Sequence, residues 1–205
     1  MQTLLTSLLT TLAAAGQKPP RARRSDLFAD TVVTDQFGQR HRFRTDLIRD
    51  RAVVINTMFT VCRGSCPGTS ETLQRLREPL GRLFGKRVTL LSLSIDPARD
   101  NPEVLQRYAD LYGAGKAAGA GQPDWLFLSA GVQETEVLRR SLGFYDLNAR
   151  IDGDISRHAA LLLFGNDRAN RWSTSPAQIR DGLIWEPLRR VLGDTPAERF
   201  GITEG

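Results

Sequence analysis

Apolar positions along the chain fall into two kinds of block. Residues 52–59 carry Val53, Val54 and Ile55 as an unbroken run, the pattern of a strand covered on both faces. Residues 88–95 repeat that pattern, and 125–128 and 159–164 supply two more strands. Between them the spacing turns helical. Leu73, Leu76, Leu80 and Phe84 recur at steps of three and four with charged residues between, which predicts an amphipathic helix beginning after Cys66 and Pro67. Pro79 has no amide hydrogen to donate and is expected to kink or restart it. Asp100 and Glu103 have the spacing of a capping box, with Pro102 in the first turn of a helix reaching about Tyr112. Residues 132–142 and 179–192 read as further helices, and 31–34 with 41–43 as a hairpin turning at 35–38. Strands alternating with helices predict an α/β sandwich: a central mixed sheet flanked by helices, with an N-terminal hairpin.

Composition bounds this picture. The chain has 205 residues, 40% hydrophobic and 25% charged, enough to bury a core without disulfide or metal staples. The expected organisation is a signal-like or disordered segment and basic linker at 1–24, one domain at 25–193 and a tail at 194–205. The net charge is +5, but basic residues alternate with acidic ones apart from Arg21, Arg23 and Arg24, and no aromatic residues are interleaved with a basic stripe. A nucleic-acid partner is therefore not expected. Residues 1–15 are apolar and end in three alanines. They are too short to span a bilayer, which takes about 20 apolar residues, and read as a weak export signal, with a cytoplasmic location left open. Residues 113–121 form a glycine- and alanine-rich loop, in which Ala117 stands where a phosphate-binding loop would have Ser or Thr.

The chain has only two cysteines, Cys62 and Cys66. Such economy argues against a disulfide framework and for redox or metal chemistry. In VVINTMFTVCRGSCP (53–67) a buried strand ends, a short loop carries Cys62, and Cys66 sits where the next helix begins. Amide groups at a helix N-terminus favour thiolate, and a four-residue separation puts both sulfurs on one side of a helical turn. Such a pair can close a disulfide or hold one soft metal ion. His158 lies between a polar loop at 152–157 and the strand at 159–164. Loops at one sheet edge converge, so this imidazole can face the cysteines. Two thiolates and an imidazole suit Cu(I), and accommodate Cu(II) or zinc.

Two segments in matching order resemble the SCO/SenC copper chaperones: Phe59-Thr60-Val61-Cys62 through Cys66-Pro67, then Leu93-Ser94-Ile95-Asp96-Pro97 with Arg99-Asp100 and Asn101-Pro102-Glu103-Val104-Leu105. His158 before an apolar strand completes the resemblance, which covers roughly residues 30–172. It implies a thioredoxin-like fold and a monomeric, extracytoplasmic metallochaperone rather than an enzyme. It further implies Cys62, Cys66 and His158 as copper ligands, copper as Cu(I) or Cu(II), and a copper-acceptor partner such as an oxidase subunit. Two positions depart from the family's usual pattern: Arg63 follows the first cysteine in place of proline, and Arg157 precedes the histidine in place of an acidic residue. Both place positive charge where it favours thiolate and repels a bound cation. The expectation is weaker Cu(II) retention or a larger share of thiol–disulfide work, with Cys62 and Cys66 as a redox pair.

Other groups read as structural. Asp96 and Asp100 are expected in a strand-end turn and a helix cap, His41 on the hairpin surface, and Trp125, Trp172 and Trp185 in core or partner contacts. A peroxidase reading fails on sequence, because residues 55–62 lack the proline of a Pro-x-x-x-Thr-x-x-Cys segment.

Overall fold

A computed structural model describes residues 22–115, 121–158 and 160–193. The export-signal reading (1–15), the tail (194–205) and part of the 113–121 loop lie outside these residues. The described chain forms one seven-stranded sheet in the order β2-β1-β5-β4-β3-β6-β7: β1 (Val32–Asp35), β2 (Arg40–Arg42), β3 (Ala52–Met58), β4 (Val88–Ser94), β5 (Asp124–Ser129), β6 (Leu161–Asn166) and β7 (Arg171–Pro176). The helices are α1 (Ser65–Phe84), α2 (Pro102–Leu111), α3 (Val132–Leu142), the single turn α4 (Ala149–Asp152) and α5 (Asp181–Leu192). The predicted α/β sandwich is observed: β3, β4 and β5 run parallel, and β1–β2 and β6–β7 add antiparallel margins.

The unbroken apolar runs are explained by two cores. Ala52, Val54 and Met58 of β3, with Val88 and Leu90 of β4, pack beneath α1, α2 and α5. Val53, Ile55, Leu91 and Leu93 face the opposite side, against Phe43, Leu47 and Ile48 of a π-helical turn and Leu138 and Leu142 of α3. One polar network sits inside the first core: Trp125 Nε1 donates to Ser92 Oγ (2.9 Å), which donates to Asn56 Oδ1 (2.7 Å). It ties β5, β4 and β3 together, with Asn56 and Ser92 paired in register and Trp125 reaching from opposite Leu90, because a buried donor without a partner is costly.

Several expectations need correction. Pro79 does not restart α1, which runs as one helix from Ser65 to Phe84. The loss of one backbone bond is outweighed there by the buried stripe of Leu73, Leu76, Leu80 and Phe84. The cap of α2 is Asn101, whose side chain accepts from the Val104 amide at 2.9 Å, and not Asp100. His41 is half-buried, with Nε2 2.8 Å from Asp35 Oδ2. The strand read at 159–164 spans Leu161–Asn166. β7, α4 and the turn Ile155–Arg157 had no apolar signal in the sequence. Trp125 is buried, whereas Trp172 and Trp185 lie partly buried on the two cores.

Candidate metal centre

The site lies at the C-terminal end of β3, the first of the three parallel strands along the chain. Beyond Met58 the chain leaves the sheet and makes a tight loop, closed by the Cys62 amide donating to the Phe59 carbonyl (3.2 Å), before α1 begins at Ser65. The Ile95 amide donates to the Met58 carbonyl (2.9 Å), which continues the β3–β4 pairing past the strand ends. Asp100 fixes the loop. Its buried carboxylate accepts the Thr60 amide (3.1 Å), the Thr60 hydroxyl (2.5 Å) and the Ser94 hydroxyl (2.6 Å). Gln178 closes the other side, donating from Nε2 to the Ser65 carbonyl at 2.7 Å.

His158 arrives through sheet topology. β6 pairs antiparallel with β3 in a register that sets Leu163 opposite Ile55. The residues before Leu161 therefore lie beyond the end of β3, beside the cysteine loop. A Cβ built on Gly64 would lie 3.8 Å from Cys62 Sγ and 3.9 Å from the Ser156 carbonyl, so the 155–157 turn and the loop lie close, with space for about one methyl group between them. The Phe59 ring meets the imidazole edge-on, with centroids 5.7 Å apart.

These elements bring the three predicted residues together. His158 Nε2 is 3.1 Å from Cys66 Sγ, and the ligand atoms of Cys62, Cys66 and His158 all lie within 4.8 Å of one another. Both cysteines are free thiols. Cys66 is 1% exposed and Cys62 8%, while His158 is half-buried, so the site has an inner sulfur and an outer edge. Burial pushes the Cys66 thiol well above its ordinary range, and the neighbouring Cys62 sulfur adds to the shift. This corrects the expectation of a stabilised thiolate at the helix N-terminus, because desolvation outweighs the helix amides at this depth. A cation between the sulfurs would reverse the balance, since metal binding displaces the thiol proton.

Asp96 is not drawn into the triad; its carboxylate accepts from Arg99 at 2.7 Å. Asp100, read from sequence as a helix cap, instead holds the cysteine loop. No spacing rule points to this, because its partners Thr60 and Ser94 come from two other elements. Beside His158 opens a cleft of about 630 Å³, walled by α3, residues 143–157 and the ends of β3 and β4. Its outer wall is pinned by Asp152, which accepts from Arg139 at 2.6 Å and from Arg140 at 2.6 Å.

The chain resembles known proteins in sequence and fold. A copper-binding-protein relative from Stutzerimonas stutzeri is 29% identical over 153 residues, covering 73% of this chain and 68% of that one. The copper-bound structure of Bradyrhizobium japonicum ScoI has a TM-score of 0.59 and 22% identity, covering 78% of this chain and 96% of that one. BsSco, described as a member of the Sco family of cytochrome c oxidase assembly proteins with a disulfide switch, has a TM-score of 0.60 and 17% identity, covering 80% and 92%. The SCO1/SenC family model matches residues 22–127, which take in both cysteines, the Thr60–Asp100 contact and just over half of the sequence, and the chain belongs to the SCO1/SenC family.

Proposed function

We propose that this protein binds copper through Cys62, Cys66 and His158 and delivers it to the copper centre of a respiratory oxidase outside the cytoplasm. The observation that carries the reading is the convergence of two free thiols and one imidazole nitrogen within 4.8 Å. Two sulfurs and one nitrogen form a soft donor set suited to Cu(I). The named activity of the Stutzerimonas relative and the copper held by the Bradyrhizobium protein support copper as cargo, and the family description of BsSco supports an oxidase as recipient. Among the described residues no helix is long and apolar enough to cross a membrane.

Copper is the cargo, and the residues divide the work of holding it. Cys66 gives the inner anchor; its thiol proton must leave on loading, so affinity rises with pH. Cys62 and His158 form the outer edge, where an acceptor's ligands displace them one at a time without any change of oxidation state. In titrations of reduced protein with Cu(I) and Cu(II) against a competing chelator, one equivalent of Cu(I) is expected to bind. Cys62→Ser and Cys66→Ser should each abolish that binding, and His158→Ala should weaken Cu(II) more than Cu(I). Failure of the reduced protein to hold Cu(I) against a modest competitor would sink the reading.

The two adjacent free thiols favour a second reading, as a thiol–disulfide reductase of the acceptor's cysteines. Cys62 would attack an acceptor disulfide and Cys66 would resolve the mixed disulfide. The acceptor would gain two electrons and two protons as a Cys62–Cys66 bond forms. Reductase turnover that is lost in Cys66→Ser but survives in His158→Ala would select this reading.

A further inference from the structure

Each segment that supplies an outer ligand also carries an arginine beside it. Arg63 follows Cys62 and Arg157 precedes His158, both exposed. The two segments come close within one residue of each arginine, since a Cβ added at Gly64 would lie 3.9 Å from the Ser156 carbonyl. Among the described residues neither guanidinium forms an ion pair. The nearest carboxylate on these segments, Asp154, is exposed and feels Arg157 at a distance, with Oδ1 accepting the Ser156 amide (3.0 Å) and hydroxyl (2.6 Å). Other arginines near the site are neutralised: Arg99 by Asp96, and Arg139 and Arg140 by Asp152. Apolar side chains stand exposed beside the charged pair, Val61 at 56% and Ile155 at 37%, and Leu147 on the cleft wall at 93%. A face with apolar contacts and an excess of positive charge without ion-pair partners around a buried site is the composition of a docking surface.

We propose that Arg63 and Arg157, with Val61 and Ile155, dock an acidic protein surface surrounding the empty metal site of the copper acceptor. This inference rests on the copper-delivery reading. It follows from the chemistry of handover: the acceptor's ligands must enter beside Cys62 and His158, and an empty site built for soft copper presents thiolates. Two fixed cations at that point steer such a surface into register.

The test uses the full chain, loaded with Cu(I), and the soluble copper-binding domain of an oxidase subunit as probe. Association is followed by stopped flow between low and physiological salt. Wild type is expected to associate at least about tenfold faster at low salt, the signature of steering. Arg63→Glu with Arg157→Glu should slow low-salt association about tenfold or more and reverse the salt slope, with Arg63→Gln and Arg157→Gln falling between. Chelator competition should give Cu(I) affinity within a few-fold of wild type in both pairs, which separates docking from a damaged site. Equal rates and slopes in wild type and the charge-reversed pair would overturn the proposal alone. Absence of any complex or transfer at every salt concentration would overturn the copper-delivery reading together with it. Arginine-dependent binding to phosphatidylglycerol vesicles, with acceptor association unaffected, would assign the face to a lipid surface and overturn it as well.

Discussion

Asp100 holds three donors at once, two from Thr60 and one from Ser94, with a carboxylate that is 1% exposed. Hydrogen bonds to an ionised group are stronger than neutral ones, at about 1.5–3 kcal/mol each, and do not add fully. Asp100→Ala should therefore destabilise the fold by roughly 3 kcal/mol. It should also free the loop, so that in reduced, copper-free protein Cys62 reacts with iodoacetamide several-fold faster. Denaturant unfolding and the alkylation rate measure the two effects. An unchanged alkylation rate would limit Asp100 to a purely structural role.

Among the elements, β6 links fold and site most directly, since its antiparallel pairing with β3 delivers His158. Its packing has little slack. Gly165 lies opposite Trp172 of β7, and a Cβ there would collide with the indole ring, which is itself held edge-on by Phe28 at 4.9 Å. Gly165→Val should cost about 1–3 kcal/mol by overpacking and loosen the hold on His158. A lower melting temperature together with weaker Cu(II) binding would bear this out. Elements with strong apolar periodicity were legible in the sequence: α1, α3, β3 and β4 fall close to their expected bounds. β7 was not, because its serines and threonine carry no core-facing run and its strand state comes from pairing with β6. The 149–157 turns were missed for a related reason: they are held by the carboxylates of Asp152 and Asp154 and the side chain of Asn148. The cysteines could be placed from local order alone. His158 could not, since its position depends on a strand register that no single segment encodes.

Across the whole molecule, buried or bridged carboxylates set the response to acid. Burial alone would raise Asp30, but the Thr45 amide and hydroxyl and Arg42 more than reverse this and lower it from 3.8 to about 2. The hydrogen bond from Arg139 holds Asp152 below the usual carboxylate range, helped by the Asp146 amide. Both groups have folded-state values below their unfolded ones. Their stabilisation is therefore fully present above about pH 4 and is lost as pH falls through the folded values. Wild type should lose stability between about pH 4 and pH 2. Asp30→Asn should be about 1–2 kcal/mol less stable at pH 7, a gap that closes near pH 2. Urea unfolding across that range checks both statements.

The route by which His158 reaches the cysteines also sets a timetable for the newly made chain. Cys66 and His158 are separated by 92 positions, so the thiol pair leaves the ribosome roughly 5–20 s before the imidazole at common elongation rates. The β6 strand that carries His158 follows later still. For that interval the chain carries both thiols without the imidazole, open to oxidation or to metals that two sulfurs alone can capture. On the proposed copper-binding reading, the three-donor set is complete only when β6 docks, which makes the last central strand the step at which a thiol pair gains its imidazole.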